Sequence, residues 1–580
     1  MRELFVAECR RLWRVAAIYA ALHLAFLFVM GRMVDLLQQE LGVYQLFALV
    51  HGLAGLAFGA WQLRGHRRPG AWMYLVHRPL APARIGTAVL GAGALCAALA
   101  VAVPIALGLA AQAWITVRVV DLRHLGLVGA GALIAVVGQL AGALLALSAA
   151  RHVFAVLALA AWPAVALASG AAALALQLVV VVWLAVLALL AFRADPQAPP
   201  RQLGPTLLVA LPVATGVALT LAAGGSLAYQ MAWIAQGSHP LNSKPPAGGY
   251  AEAASSDPRV LLGVEGGPDP LTVATGIARV AARHELTNVA PMELDDRHRG
   301  TRWVFSHDTM RFVGMDLARR ERRGTLDVPG GFATPPVPMV DLLVEARAAY
   351  RLDETTGHLR RIARVPAGEV LAAKPERLEA LWVVLSDRAL RLVDAEDADA
   401  VRATLPLPVP IGELSRVDLV ADGAGYRLSL VTGRGSVGGI PAGRHYLYRV
   451  DGGAITLLSQ RALAQDFPVL LRDLDFLVSP ALLVLEEHAR ALFAAPQPLV
   501  VQRSVARGTL TWLVTLALSL AAAAFVARRA GALGLPGAHA VVWTLAALAL
   551  GAPLALTFLL MERQPWPRPA RALPRTTAPA

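Results

Sequence analysis

Residues 171–193 read AAALALQLVVVVWLAVLALLAFR, an apolar run from Ala171 to Arg193 that holds one polar residue, Gln177, before its terminal arginine. About 20 apolar residues is the length at which an α-helix crosses the hydrocarbon core of a bilayer. Lipid offers a bare backbone no hydrogen-bond partners, so such a run reads as a helix whose amides are satisfied internally. The same reading places spans at 14–31, 44–63, 85–112, 125–148, 152–169, 206–234, 508–527 and 537–561. Together these predict a polytopic α-helical membrane protein of about nine spans. Ala168-Ser169-Gly170 alone separates 152–169 from 171–193, and Trp162-Pro163 interrupts the former. That pair reads either as a tight hairpin or as one long kinked element.

Composition agrees. The chain has 580 residues, 56% of them hydrophobic and 16% charged, with a mean hydropathy of +0.55. Soluble domains carry about 25% charged residues, so charged surface has been exchanged for apolar surface. The net charge of +13 comes almost wholly from arginine, since Lys244 and Lys374 are the two lysines. In a soluble chain that excess would point to nucleic acid; here it fits the basic inner loops of a membrane protein, and no nucleic acid is expected. Arg2, Arg10, Arg11 and Arg14 precede the first span, and Arg64, Arg67, Arg68, Arg78 and Arg84 fill the loop after the second. Arg151, Arg193, Arg201, Arg528 and Arg529 mark further turns on that face, against Arg32, Arg118 and Arg123 on the other. This places the N-terminus in the cytoplasm and 235–502 outside, although the arginine-containing tail 563–575 then also lies outside. The Ala, Leu, Arg and Gly bias is bacterial in character, which points to an inner membrane and a periplasm. The basic start lacks a small-x-small cleavage site and reads as an uncleaved first span.

Between the apolar blocks, 235–502 has an ordinary soluble composition. A Pro- and Gly-rich linker runs to about Pro258, and short β-type runs follow: Trp303-Val304-Phe305-Ser306, Phe312-Val313-Gly314-Met315-Asp316, Leu381-Trp382-Val383-Val384-Leu385 and Tyr426-Arg427-Leu428-Ser429-Leu430 among them. Their starts recur at roughly 40 residues, the period of four-stranded propeller blades. The expectation is a large all-β, propeller-like extracytoplasmic domain; a β-sandwich has similar strand spacing. Residues 466–494, rich in Leu, Glu and Ala, predict a helix returning to the membrane. The domain plan is thus 1–234 as a transmembrane block (a six-helix core at 1–193 plus one span), 235–502 as the β domain, and 503–580 as a closing pair of spans and a tail.

Nothing in the sequence supports catalysis or a cofactor. There is no Gly-x-x-x-x-Gly-Lys-Ser/Thr phosphate loop and no Gly-x-Ser-x-Gly elbow. Gly433-Arg434-Gly435-Ser436-Val437-Gly438-Gly439 reads as a hairpin turn, and His284-Glu285 and Glu486-Glu487-His488 lack the further ligands of a zinc site. Cys9 and Cys96, the two cysteines, both lie in the first block, so the β domain can form neither a disulfide nor a Cys-based metal site. Arg319, Arg320, Arg322 and Arg323 read as an exposed turn, or as a patch facing anionic lipid or glycan. Gly55 with Gly59 and Gly138 with Gly142 have the four-residue spacing that lets helices approach closely, or simply reflect abundant glycine. His23, His51, Gln139 and Gln177 lie at membrane depth and read as interhelical packing.

The most informative segment is the loop 64–84, where an amphipathic stretch and a sharp Arg-Pro turn lead straight into the next span. Such a stretch lies along the membrane surface and presents a rigid knob, or serves as a basic anchor. Leu75-Val76-His77-Arg78-Pro79-Leu80 with Arg84 resembles the centre of the ATPase-docking segment in the permease subunit of ABC-2-type ABC transporters. The resemblance covers roughly the first third of the chain; the acidic residue and lysine that often flank that motif are absent, and the β domain lies outside the family pattern. It implies a permease coupled through Leu75, His77, Arg78, Pro79, Leu80 and Arg84 to a separate ABC ATPase subunit, and paired with a second copy or another permease in the bilayer. The alternative is a membrane-anchored sensor or scaffold whose outside domain binds a protein.

Overall fold

The computed structural model describes the chain apart from residues 40, 148–150, 166–170, 194–199, 201, 238, 240–246, 274–292, 297–299, 317, 327–336, 340–341, 354–357, 434–442, 465–468, 494–506 and 563–580. The first block consists of α1 (Arg2–Met33), α2 (Leu41–His66), α3 (Pro69–Val76), α4 (Pro82–Ile115), α5 (Leu125–Leu147), α6 (Arg151–Val165), α7 (Ala171–Ala191) and α8 (Leu203–Ala235). Two short helices, α9 (Tyr250–Ser255) and α10 (Pro258–Leu262), lead to the β strands, after which come α11 (Val469–Val478), α12 (Pro480–Phe493), α13 (Thr509–Leu533), α14 (Gly537–Leu550) and α15 (Ala552–Met561). Seven described helices, α1, α2, α4, α5, α7, α8 and α13, are long and apolar enough to cross a membrane. Their outer faces expose large apolar side chains such as Leu22, Phe28, Leu53 and Leu516, while Leu144, Leu184, Leu187, Phe192 and Phe558 are buried between helices.

One expected span takes a different form. Residues 537–561 are two shorter helices, α14 and α15, broken at Gly551, whose φ of 70° and ψ of −146° no helix can continue. Pro553 in the first turn of α15 then restarts the helix, since its missing N–H is no loss there. For 152–193 the described residues are α6, of 15 residues, and α7; residues 166–170 between them, on which the end of the first of these spans falls, lie outside the described residues. The returning segment is likewise two helices, divided at Ser479-Pro480, and Thr511 of α13 donates to the buried Asp473 of α11 at 3.0 Å.

The helical block is organised around a seam between α2 and α5. A Cβ on Gly55 or Gly59 would sit on the carbonyl oxygens of Ala135 or Gln139, and one on Gly138 or Gly142 on those of Gly52 or Leu56. The two glycine pairs therefore face each other and allow backbone-to-backbone packing, the close approach that small residues permit between apolar helices. Arg67, just past α2, donates to Ala146 O at 2.9 Å and Leu147 O at 3.1 Å, satisfying the last carbonyls of α5. The two helices thus run in the same direction.

The β strands form four antiparallel sheets in sequence order. These are β2 (Glu293–Asp296), β3 (Thr301–Ser306), β4 (Arg311–Asp316) and β5 (Glu321–Leu326); β6 (Val337–Met339), β7 (Leu342–Val344), β8 (Ala348–Leu352) and β9 (Leu359–Arg364); then β10 (Glu376–Leu378), β11 (Leu381–Leu385), β12 (Ala389–Asp394) and β13 (Val401–Pro406). The fourth comprises β14 (Leu414–Asp422), β15 (Gly425–Thr432), β16 (Arg444–Asp451) and β17 (Ala454–Ala462), with β1 (Leu271–Val273) added beside β14. Each of the first three sheets shares a hydrophobic core with the next: Phe305 and Phe312 with Leu343 and Tyr350, Ala349 and Ile362 with Trp382 and Val384, and Val383 and Leu392 with Leu419 and Leu428. The sheets are open, and no closed barrel or ring is present among the described residues. Gly433 begins the connection from β15 to β16, as the hairpin reading of that glycine-rich stretch required, while 434–442 lie outside the described residues.

Replacing Gly59 by isoleucine should push the α2–α5 seam apart and cost about 1–3 kcal/mol or more. Thermal scanning in detergent should show a lowered midpoint for Gly59→Ile and none for Gly204→Ala, where a Cβ meets open space.

Candidate functional site

The α4–α5 connection reaches out of the helical block and locks onto the turn between β3 and β4. Asp121 precedes a short 3-10 turn, Leu122–His124, and its backbone N–H donates to His124 Nδ1 at 2.9 Å. Its carboxylate accepts from Ser306 Oγ at 2.8 Å and from the His307 backbone N–H at 3.1 Å, and pairs with Arg123 Nε at 3.3 Å. The next amide, Leu122 N, donates to Asp308 Oδ2 at 3.0 Å, and Val119 packs on Val304 and Met315. The Asp121 side chain is 1% exposed. Burial alone would raise its pKa; the hydrogen bonds from His307 and Ser306 and the Arg123 charge outweigh that and hold the carboxyl well below the usual aspartate range.

Helices α1, α2, α4 and α5 and the first sheet, through Glu293, Arg302 and Met315, line a cavity of about 990 Å³. Its walls are apolar side chains of α1, α2, α4 and α5, among them Leu24, Leu27, Phe47, Leu107 and Ile134, and its rim carries Arg32, Asp35, Arg118, Glu293, Arg302 and Arg320. The basic cluster read from the sequence spans the β4–β5 turn (Arg319, Arg320) and the start of β5 (Arg322, Arg323); it is exposed, and Arg320 is its member that reaches the cavity. At the cavity floor the His23 and His51 rings pack at a tilt of 56° with centroids 4.6 Å apart, and Tyr19 OH lies 2.8 Å from His51 Nδ1. His51 also borders a second cavity of about 420 Å³ deeper among α1, α2 and α4, beside Tyr19, Trp61 and Cys96.

Beyond that second cavity a polar cluster ties α1, α2, α4 and α5 together. Gln139 Nε2 donates to Gln62 Oε1 at 2.9 Å, and Gln62 Nε2 donates to Val89 O at 2.8 Å and to Glu8 Oε1 at 3.2 Å. Arg11 and His66 complete the surroundings of Glu8 at 2.5 and 3.1 Å. The interhelical role read for His51 and Gln139 fits these bonds; Gln177 is fully buried with neither side-chain end hydrogen-bonded. Glu8 and Asp121 were not singled out in the sequence, although each is an acidic residue beside an apolar run, which is the signal that marks them.

The loop 64–84 lies at the opposite end of the helices from the latch. Pro69 opens α3, and the His77 N–H closes it on Met73 O at 3.0 Å. One face is driven into the block: Leu75 is buried, and Trp72 meets Phe192 with ring centroids 5.0 Å apart. The other face presents Met73 and Tyr74 outward, with the Arg78 guanidinium 5.2 Å over the Tyr74 ring. Leu80 N bonds Arg78 O at 2.7 Å across Pro79, and α4 begins immediately, with Arg84 exposed in its first turn.

No group of three or more His, Cys, Asp or Glu is placed to hold a metal ion among the described residues; His284 and Glu285 lie outside them. No family model, curated protein or solved structure matches the chain.

Removing the Asp121 carboxylate breaks its ion pair with the buried Arg123, a change that costs about 3–5 kcal/mol. Asp121→Ala should therefore raise amide exchange across β3 and β4 while leaving β14–β17 protected. Because the folded pKa is depressed, the wild-type latch has its full strength above the ordinary aspartate pKa of about 3.9. That strength should fall progressively as pH drops below this value toward the folded pKa, as read by exchange or limited proteolysis.

Proposed function

We propose that the chain is the membrane-spanning subunit of an ATP-driven transporter, with ATP hydrolysis in a separate ATPase subunit. The observation that carries this reading is α3: a short helix pinned by Trp72 and Leu75 that turns Met73, Tyr74 and the Arg78-Pro79 corner away from the block. A load applied to that exposed face is delivered through the anchored face to α2 and α4, which α3 joins. The α2–α5 seam then carries it to the α4–α5 latch and the roofed cavity, the element arrangement of a rigid-body transition between two states. In this reading α3 and the 77–84 corner are the docking surface, the β domain stands in the periplasm as a propeller-like cap, and the permease works as a homodimer or with a related subunit in a bacterial inner membrane.

Co-purification in mild detergent, followed by mass spectrometry and an ATPase assay, tests it. Arg78→Glu should reduce the retained ATPase activity by at least roughly tenfold, the order expected when an aromatic–arginine pair at an interface centre is lost. Tyr74→Ala should do the same, and both should keep the wild-type melting midpoint. Recovery of partners of the β domain alone, without ATPase activity, would overturn the reading in favour of a scaffold.

A further inference from the structure

We infer that the cavity between the helical block and the first sheet binds one acidic amphiphile, its apolar chains among α1, α2 and α4 and its anionic head at Arg32 and Arg320. Four observations lead there. Its volume, about 990 Å³, is at the upper end for a site that encloses a single ligand. The walls supply mostly apolar contact, with His23 and His51 at the floor, and the charged side chains stand at the rim.

The rim charges do not cancel. Arg118 is matched by Asp35 at 3.6 Å and Arg302 by Glu293 at 3.6 Å and Asp295 at 2.9 Å. Arg32 lies over the Phe28 ring and Arg320 projects from its turn, and neither has an ion pair among the described residues. Two positive charges are left at the mouth of an apolar chamber, which is the complement of a lipid-like anion.

Of the four arginines of its cluster, Arg320 is the one that lines the cavity, while Arg319 and Arg323 pair with Asp316. Asp316 accepts the Ala318 and Arg319 amides at 3.0 and 2.9 Å and pairs with Arg323 at 2.6 Å, so the carboxylate is used in building the turn. Arg320 is held at φ 56°, a left-handed conformation that a side-chain-bearing residue adopts at a cost. The mouth also opens sideways: Trp114 and Ile115, both lining residues, are 86% and 81% exposed at the end of α4. An apolar opening on the flank of a membrane helix admits a ligand from the bilayer. This inference deepens the transport reading by naming its substrate class, and rests on it for the meaning of binding as transport.

Native mass spectrometry of the purified full chain, titrated with phosphatidylglycerol or phosphatidylcholine of identical chains, tests it. One phosphatidylglycerol adduct should form at concentrations where phosphatidylcholine gives none. Arg32→Gln combined with Arg320→Gln should weaken that adduct on the order of tenfold, the effect of losing charge-assisted hydrogen bonds. Arg320→Lys should retain most of it, and Leu27→Trp, which fills the chamber, should abolish it, each at an unchanged melting midpoint. Equal adducts of both lipids, or phosphatidylglycerol adducts indifferent to these variants, would overturn the inference. So would displacement of the lipid by millimolar inorganic phosphate, which would make the site one for the head alone. Lipid selectivity without any ATPase partner would sink transport and leave the site standing, whereas a bound ATPase without selectivity would do the reverse.

Discussion

Four glycines set the distance between α2 and α5, and most of what the protein presents at either end follows from that distance. With Gly55 and Gly59 set against Gly138 and Gly142, the two backbones touch and the helices behave as one rigid unit. One end of the unit continues into α3, whose preceding Arg67 caps α5 as well. The other end carries the Asp121 loop, which leads into α5. The seam also sets the height at which Gln62 meets Gln139, and so where the Glu8 cluster can form.

The β domain is fastened to the helical block at a point far in sequence from its own insertion. It departs from α8 and returns through α11 and α12, yet its first sheet is held by the α4–α5 connection. A domain attached solely by its two chain ends would swing; a third attachment through a buried carboxylate fixes how it covers the cavity. The chamber therefore has a roof whose position depends on polar bonds, and walls whose position depends on apolar packing.

The helices were legible in the sequence because a period of apolar residues about 20 long leaves few alternatives. The strands were legible from alternation and from a recurrence near 40 residues, which the starts of β2, β6, β10 and β14 follow. The break at Gly551 was hidden because the residues on both sides are equally apolar, and Gly-Ala-Pro carries the whole signal. The latch was illegible for another reason: Asp121 and Ser306 are joined by chemistry across distant segments, and no local pattern records it. Arg320 was one of four alike in sequence; the turn built on Asp316 pairs Arg319 and Arg323, and of the four Arg320 is the one that lines the cavity. Gln139 was noticed, but its partner Gln62 sits in a segment whose polar character the apolar average conceals.

Asp121 and Ser306 are 185 positions apart, and this has a consequence for the order in which the protein is made. At about 5–20 residues per second, roughly 10–40 s of synthesis separate the two. For that interval the loop has left the ribosome while the hydroxyl and amide that will receive its carboxylate do not exist. Over the same time Asp121 is a free anion next to an apolar helix, and the cost of taking it into lipid keeps the loop at the water boundary. The residue that later holds the first sheet thus serves first as a depth gauge for α5, and the β domain arrives to find its attachment point already at the right level.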